Sequence, residues 1–357
     1  MSETKKEIYI AGAHSRGRTL RAYLEYLYPG LEVAAFLVDD MSENAETVDG
    51  LPVRLIGQGL HTEYPVYLGM RGVNHEKVAG ELRDAGIREI IPVTVELDIQ
   101  LRNAYVRRYA KDSGRTFNVI DELPTGEEKT ARIYVASSIF DKPLQESYTF
   151  IREEAVLQVG AALTKERISD DVITDCEGEN ISVRNKQFCE LTGLYWIWKN
   201  ACEDYVGLVH YRRHFLLPEN WLERMKGNQI DVILPVPLYV APSIAGNYME
   251  RHIASDWKYL MTYFQEELSG EYEEAERIFN GNLYSPCNML IARKEVLDRL
   301  CEWMFPILFA VADHGGEKED TYLNRYPGFI SERLITYFFE SRNSEYRVVY
   351  ANKNFLK

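Results

Sequence analysis

Cysteine is scarce in this sequence, and what there is shows no pairing. The five cysteines (Cys176, Cys189, Cys202, Cys287 and Cys301) contain no CxxC pair and do not form an even set. That excludes a disulfide framework and fits reduced thiols, as expected for a cytoplasmic protein. The seven histidines are scattered along the chain and are not read as a zinc site. Long apolar runs are missing too. Nothing reaches the length needed to cross a bilayer, and MSETKKEIYIAGAHSRG has an apolar stretch too short for a signal peptide. Positive charge is also in deficit. A formal net charge of −14 excludes nonspecific binding to nucleic acid, whose phosphates demand a basic surface. An anionic small molecule is not excluded, because a few local arginines outweigh a distant acidic surface. Internal repeats and low-complexity tracts are likewise missing.

What is present reads as two α/β units. Strand-like runs at Glu7–Ala13, Glu32–Val38, Val66–Met70 and Glu89–Val93 alternate with helical spacing at Ser15–Tyr28, His75–Ala85 and Leu97–Ala110. The segment Asp112–Thr130 is polar, contains Gly and Pro, and has no sustained period. It is the expected linker, and the domain boundary is set at 125/126, giving domains 1–125 and 126–357. Beyond it, Arg132–Ser137, Tyr205–Tyr211 and Asp231–Pro235 read as buried strands, and Leu191–Asn200, Ile253–Glu267, Arg293–Phe309 and Ser331–Glu340 as helices. This alternation predicts a mostly parallel sheet with ligands at the strand C-terminal ends.

In the first unit, Gly12 to Gly17 (GAHSRG) lies between a strand and a helix. There Gly12, Ser15 and Gly17 could present backbone N–H groups to a phosphate. Asp39, a little over 20 residues on, stands where a carboxylate could bind a ribose. The pattern is not GxGxxG, and a tight turn with close packing is the competing account. A methyltransferase using this turn for S-adenosylmethionine is a further alternative. The stretch from about Ile8 to Val93 is similar to the Rossmann-like N-terminal domains of bacterial sugar-modifying acyltransferases, where such a pocket binds a nucleotide-sugar.

The densest cluster of unusual residues runs from Asp175 to Phe215. The segments ENISVRN, CELTGLYWIWKN and YVGLVHYRRHF resemble those of the DUF4422 glycosyltransferases of bacterial capsule, exopolysaccharide and O-antigen gene clusters. VGAAL at Val159–Leu163, DVILP, CNMLIARKEVLDRLCEWMFPILF and GFISERL follow in the same order. The resemblance implies a GT-A-like glycosyltransferase domain after the Rossmann-like one. It also implies a nucleotide-sugar donor, UDP-linked with galactose or galactofuranose as candidates, and a glycan or lipid-linked glycan acceptor. A lipid-linked acceptor would bring the protein to the inner face of the cell membrane. A non-catalytic nucleotide-sugar-binding or scaffold protein of the same pathway is the alternative.

Residue by residue, YVGLVHYRRHF is an apolar strand that stops at two arginines. Arg212 or Arg213 could clamp a diphosphate where many such enzymes hold a metal through Asp-x-Asp, with His210 beside them. The rival readings are a solvated strand exit and a core histidine. No cofactor is firmly predicted. Mg²⁺ or Mn²⁺ would have only Asp175-Cys-Glu177 and Asp170-Asp171 nearby, with Asp175 and Glu177 as the fallback site, and a solvated acidic loop is the plainer account. Val135, Ser137, Gly160, Asn180, Ser182 and Asn185 are expected to line the donor, with helix capping as the alternative for the polar three. Asn288, Trp198 and Glu190 are candidates for the acceptor, against loop capping, an aromatic core stripe and a buried ion pair. Glu332, expected in the first turn of a helix, is the candidate base for the acceptor hydroxyl, against compensation of the helix dipole.

Overall fold

The computed structural model describes residues 6–42, 44–57, 59–123 and 130–357. The chain divides into two compact units, Met1–Phe117 and Asn118–Lys357. The expected boundary at 125/126 falls outside the described residues.

The first unit runs β1 (Lys6–Ala11), α1 (Ser15–Leu27), β2 (Leu31–Val38), β3 (Thr47–Val48), β4 (Leu51–Leu55), β5 (Val66–Leu68), α2 (His75–Asp84), β6 (Ile90–Pro92) and α3 (Val95–Asp112). Its sheet has the order β3-β4-β2-β1-β5-β6, parallel except for the β3–β4 pair. Alternate residues of the central strands, Tyr9, Ala11, Ala35 and Leu37, pack with Val78, Ala79 and Leu82 of α2, as a period of two requires. Order reverses between β1 and β5, so the crevice outside their carboxyl ends is the topological switch point.

The second unit runs β7 (Ala131–Ser137), β8 (Glu154–Gln158), β9 (Ile173–Thr174), α4 (Asn185–Phe188), α5 (Leu191–Asn200), β10 (Tyr205–His210), α6 (Trp221–Gly227), β11 (Val232–Pro235) and β12 (Leu238–Tyr239). It continues with α7 (Ile244–Arg251), α8 (Ala254–Glu267), α9 (Tyr272–Phe279), β13 (Leu283–Tyr284), β14 (Leu290–Arg293), α10 (Lys294–Gly315), α11 (Tyr326–Ser341) and β15 (Val348–Ala351). The main sheet has the order β15-β11-β14-β10-β7-β8-β9. All neighbours are parallel except β14, which runs against both β10 and β11.

Both faces of this sheet are covered, which is why its strands read as near-continuous apolar runs. Tyr134, Val206, Leu208, Leu290 and Ala292 face the large helical layer. Ile133, Val135, Val209 and Ile291 face a smaller core with Trp221 and Met225 of α6. Gly207 lets β10 and β14 approach, since a Cβ there would stand 2.9 Å from the Leu290 carbonyl oxygen. One expectation is corrected here. Pro327, in the first turn, starts α11 at Tyr326, so Glu332 lies in the second turn and the dipole account of it fails.

Candidate active site at the strand ends of the second unit

Because β14 is reversed, its N-terminal end meets the C-terminal ends of β7, β8, β10, β11 and β15 along one edge of the sheet. The residues at or just outside those ends form one cluster: Ser138 and Asp141 after β7, His210 at the end of β10 with Tyr211–Arg213 after it, Cys287 and Asn288 before β14, and Lys353 after β15. Glu190, at the start of α5, and Glu332, in α11, are added from the helical layer.

Hydrogen bonds tie the centre together. The Asn288 amide donates to Glu190 Oε1 at 2.9 Å and to the Gly328 carbonyl at 2.9 Å, while the Ser331 hydroxyl donates to its oxygen at 2.6 Å. The Cys287 backbone N–H donates to Glu332 Oε1 at 2.7 Å, and Arg333 donates to Glu332 Oε2 at 2.6 Å. His210 Nε2 lies 2.5 Å from the Cys287 carbonyl and 4.0 Å from Glu190 Oε1, a contact that puts the proton on Nε2. Cys189, Cys287 and Asn288 hold positive φ angles of 47°, 78° and 51°. Three non-glycine residues in this sparsely populated region, all at one place, are backbone strain of the kind concentrated at functional sites.

Burial and charge then set the protonation states. Burial pushes Glu332 above the usual carboxylate range, although Arg333 and the Cys287 N–H oppose it. Burial also works against the Glu190 anion, but His210, the Asn288 amide and Arg325 outweigh it and hold Glu190 low. The His210 ring is pushed down by burial, and Arg213 opposes its protonation. Asp141, raised by burial, accepts from the Ser138 N–H at 2.7 Å and feels Arg212 and Arg325.

Unlike Arg333, which pairs with Glu332, four cations around this centre are not tied to a carboxylate. Among the described residues Arg212, Arg213, Arg325 and Lys353 form no ion pair. Arg212 and Arg213 lie over the Phe355 ring at 5.8 and 5.1 Å, and Arg325 Nε donates to the Cys189 sulfur at 3.1 Å. Lys353 is close enough to influence the Cys287 thiol. The arrangement can therefore hold an anion against a carboxylate of raised basicity.

Of the residues expected from sequence, His210, Arg212, Arg213, Glu190, Asn288 and Glu332 come together here. Others do not. Val135 is fully buried in the α6-side core and presents no side chain to a ligand. Asp175 is fully buried and accepts four hydrogen bonds, from Gly160 N, Ala161 N, the Ser182 hydroxyl and the Thr192 hydroxyl. Both its oxygens are spent, so the fallback metal pair with Glu177 is corrected to a structural carboxylate. Among the described residues no three His, Cys, Asp or Glu side chains form a metal cluster. Asn180 bonds the Cys176 and Gly178 carbonyls, and Asn185 bonds the Cys189 carbonyl and Thr192. These side chains build the loop rather than offer themselves to a donor.

Gly160, at φ 67°, leaves room for Asn185, whose Oδ1 would be 2.6 Å from a Cβ there. Ser137 stays at the end of β7, its hydroxyl 3.3 Å from the Val135 carbonyl. Trp198 stacks on Phe305 at 5.7 Å and is capped by Lys199 at 3.7 Å. It sits at the far end of α5 from Glu190 and belongs to the core. His210 and His214, four residues apart, do not converge either, since His214 Nδ1 turns to the buried Glu154 at 2.7 Å.

Sequence reasoning missed Asp141, Arg325, Ser331 and Lys353. Ser331 is buried within α11, the other three lie outside the strands and α-helices, and only the three-dimensional convergence of strand ends marks all four out.

In the first unit the expected residues are used locally. A Cβ on Gly17 would lie 1.9 Å from the Gly12 carbonyl oxygen, so the turn is packed on itself. The exposed Lys77 ammonium, 2.6 Å from Asp39, holds that carboxyl below its usual range. Ser15, the first residue of α1, is exposed.

No helix among the described residues is long and apolar enough to cross a membrane. A comparison with curated proteins finds no match. Among solved structures, the chain is similar to the apo structure of WbbM, a bifunctional glycosyltransferase, with a TM-score of 0.55 and 26% identity over 64% of this chain. The match spans 45% of the WbbM chain. Residues 145–343 match the family described as a domain of unknown function, DUF4422, and the chain belongs to that family.

Proposed function

We propose that the second unit is a GT-A-like glycosyltransferase domain that moves a sugar from a nucleotide-sugar, UDP-linked in the simplest case, to a glycan or lipid-linked glycan acceptor. The Rossmann-like first unit is assigned no step in this reaction. The observation that carries the reading is the set of cations without an ion pair, Arg212, Arg213 and Lys353 at strand ends and Arg325 just before α11, in a chain similar over 64% of its length to a known glycosyltransferase.

In such a transfer the anomeric C–O bond breaks and its electron pair leaves on the diphosphate. Arg212 and Arg213 would neutralise that charge as it develops, the role a divalent metal plays elsewhere. The acceptor hydroxyl forms the new bond to the anomeric carbon and gives its proton to Glu332, whose raised pKa suits a proton acceptor. Galactose or galactofuranose as the donated sugar, polysaccharide biosynthesis as the setting and action at the inner membrane face remain proposals of the same kind.

The test is release of nucleoside diphosphate from a panel of nucleotide-sugars. Arg212→Ala or Arg213→Ala should lower release about 100-fold, in line with the loss of one preorganised donor to a developing charge. Release unaltered by both substitutions would defeat the assignment, and no release with any donor favours the scaffold alternative.

A further inference from the structure

Tyr322 has half its surface in solvent, 49%, just before Arg325. Its hydroxyl makes no hydrogen bond among the described residues. Its ring is not loose, however. Phe329 supports it at 5.1 Å and 44°, and Phe329 is in turn stacked on His252 of the α7–α8 connection at 4.1 Å and 17°. His252 also contacts Tyr322 at 6.0 Å and Tyr248 at 4.9 Å. One aromatic face is thus held out to solvent by rings that are themselves partly buried.

Buried beside this stack are polar atoms with no partner: His252 Nδ1, the Tyr248 hydroxyl and Arg333 Nε. Tyr248 is 0% and Arg333 2% exposed. Such atoms ask for a ligand hydroxyl or an ordered water. The stack also neighbours the reacting centre in two ways. The Tyr322 side chain is near enough to influence Arg325. Phe329 and Glu332 stand three apart on α11, on one helix face.

We infer that Tyr322, backed by Phe329 and His252, is the platform on which a sugar ring of the acceptor stacks, its hydroxyls reaching toward Glu332. This rests on the transferase reading and names the acceptor side of that site. A sugar ring offers one face of C–H groups and a rim of hydroxyls, which matches an aromatic face bordered by unsatisfied polar atoms. Tyr322 touches the ligand in this account, while Phe329 and His252 are positioning residues.

Saturation-transfer NMR on the full chain with a panel of methyl glycosides tests this without a donor. At least one glycoside should receive saturation from the aromatic region on its ring C–H protons. Tyr322→Ala should weaken that glycoside about tenfold, and Tyr322→Phe should bind as the original does. If Tyr322→Ala binds as tightly as the original, or if no glycoside gives a signal, the platform is wrong whatever the donor does. Failure of the transferase reading appears separately, as an absence of donor release.

Discussion

Two α/β units in one chain place glycines and charged residues at the carboxyl ends of their strands, and they use them in opposite ways. In the first unit the polar residues there are satisfied among themselves at the surface. Asp39 is held by Lys77, Arg18 pairs with Asp49 at 2.8 Å, and the Gly12–Gly17 turn closes on its own backbone. In the second unit the carboxylates are buried and crosslinked to backbone, amides and Arg333, while Arg212, Arg213, Arg325 and Lys353 are left unpaired. Strand-end position alone therefore does not make a site. What distinguishes the second unit is unspent charge held in place by a costly buried network.

The largest expected effect tests that contrast through two aspartates. Asp175→Ala strands four buried donors and should cost about 4 kcal/mol in urea unfolding of the second unit. Asp39→Ala removes only an exposed ion pair and should cost under about 1 kcal/mol. Equal losses would break the comparison.

A smaller effect sharpens the role of the glycine turn. Gly17→Ala puts a methyl against the Gly12 carbonyl, which is backbone and cannot swing aside, so the first unit should lose about 2–3 kcal/mol. Nucleoside diphosphate release by the second unit should persist at temperatures where the first remains folded. Loss of release in the folded variant would show that the turn takes part in the reaction after all.

How far the sequence revealed this arrangement depends on what each signal encodes. Strands buried on both faces, such as β2, β7 and β10, are apolar runs and were legible as such. An apolar run carries no direction, so the reversal of β14 was invisible, and with it the reason Asn288 meets the β10 end. The start of α11 was misplaced because Gly328 in GFISERL reads as a loop, although Pro327 was an available helix-start signal. Arg212, Arg213, Glu190 and Glu332 stood out because charge abutted apolar sequence. Asp175 stood out equally and proved structural, since an acidic residue has the same letters whether its oxygens are spent or free. Arg325 and Asp141 stand in short segments that end no strand-like or helical run, so nothing local separated them from ordinary surface.

A further test concerns pH and the buried polar groups of the second unit. Burial, with Arg333 and Arg251 nearby, pushes His252 down to about 4, against about 6.5 for an exposed imidazole. The unfolded chain then binds more protons than the folded one between those values. The neutral ring's contribution is fully present above about pH 6.5 and drains away as pH falls toward 4. His252→Phe keeps a ring against Phe329 but cannot take up that proton, so its stability should fall less steeply than the parent's across this window. Denaturant midpoints measured at intervals over this range decide it. Parallel curves for the two proteins would mean that His252 is solvated in the folded state, and that the second unit is less closed around its unpaired groups than its geometry indicates.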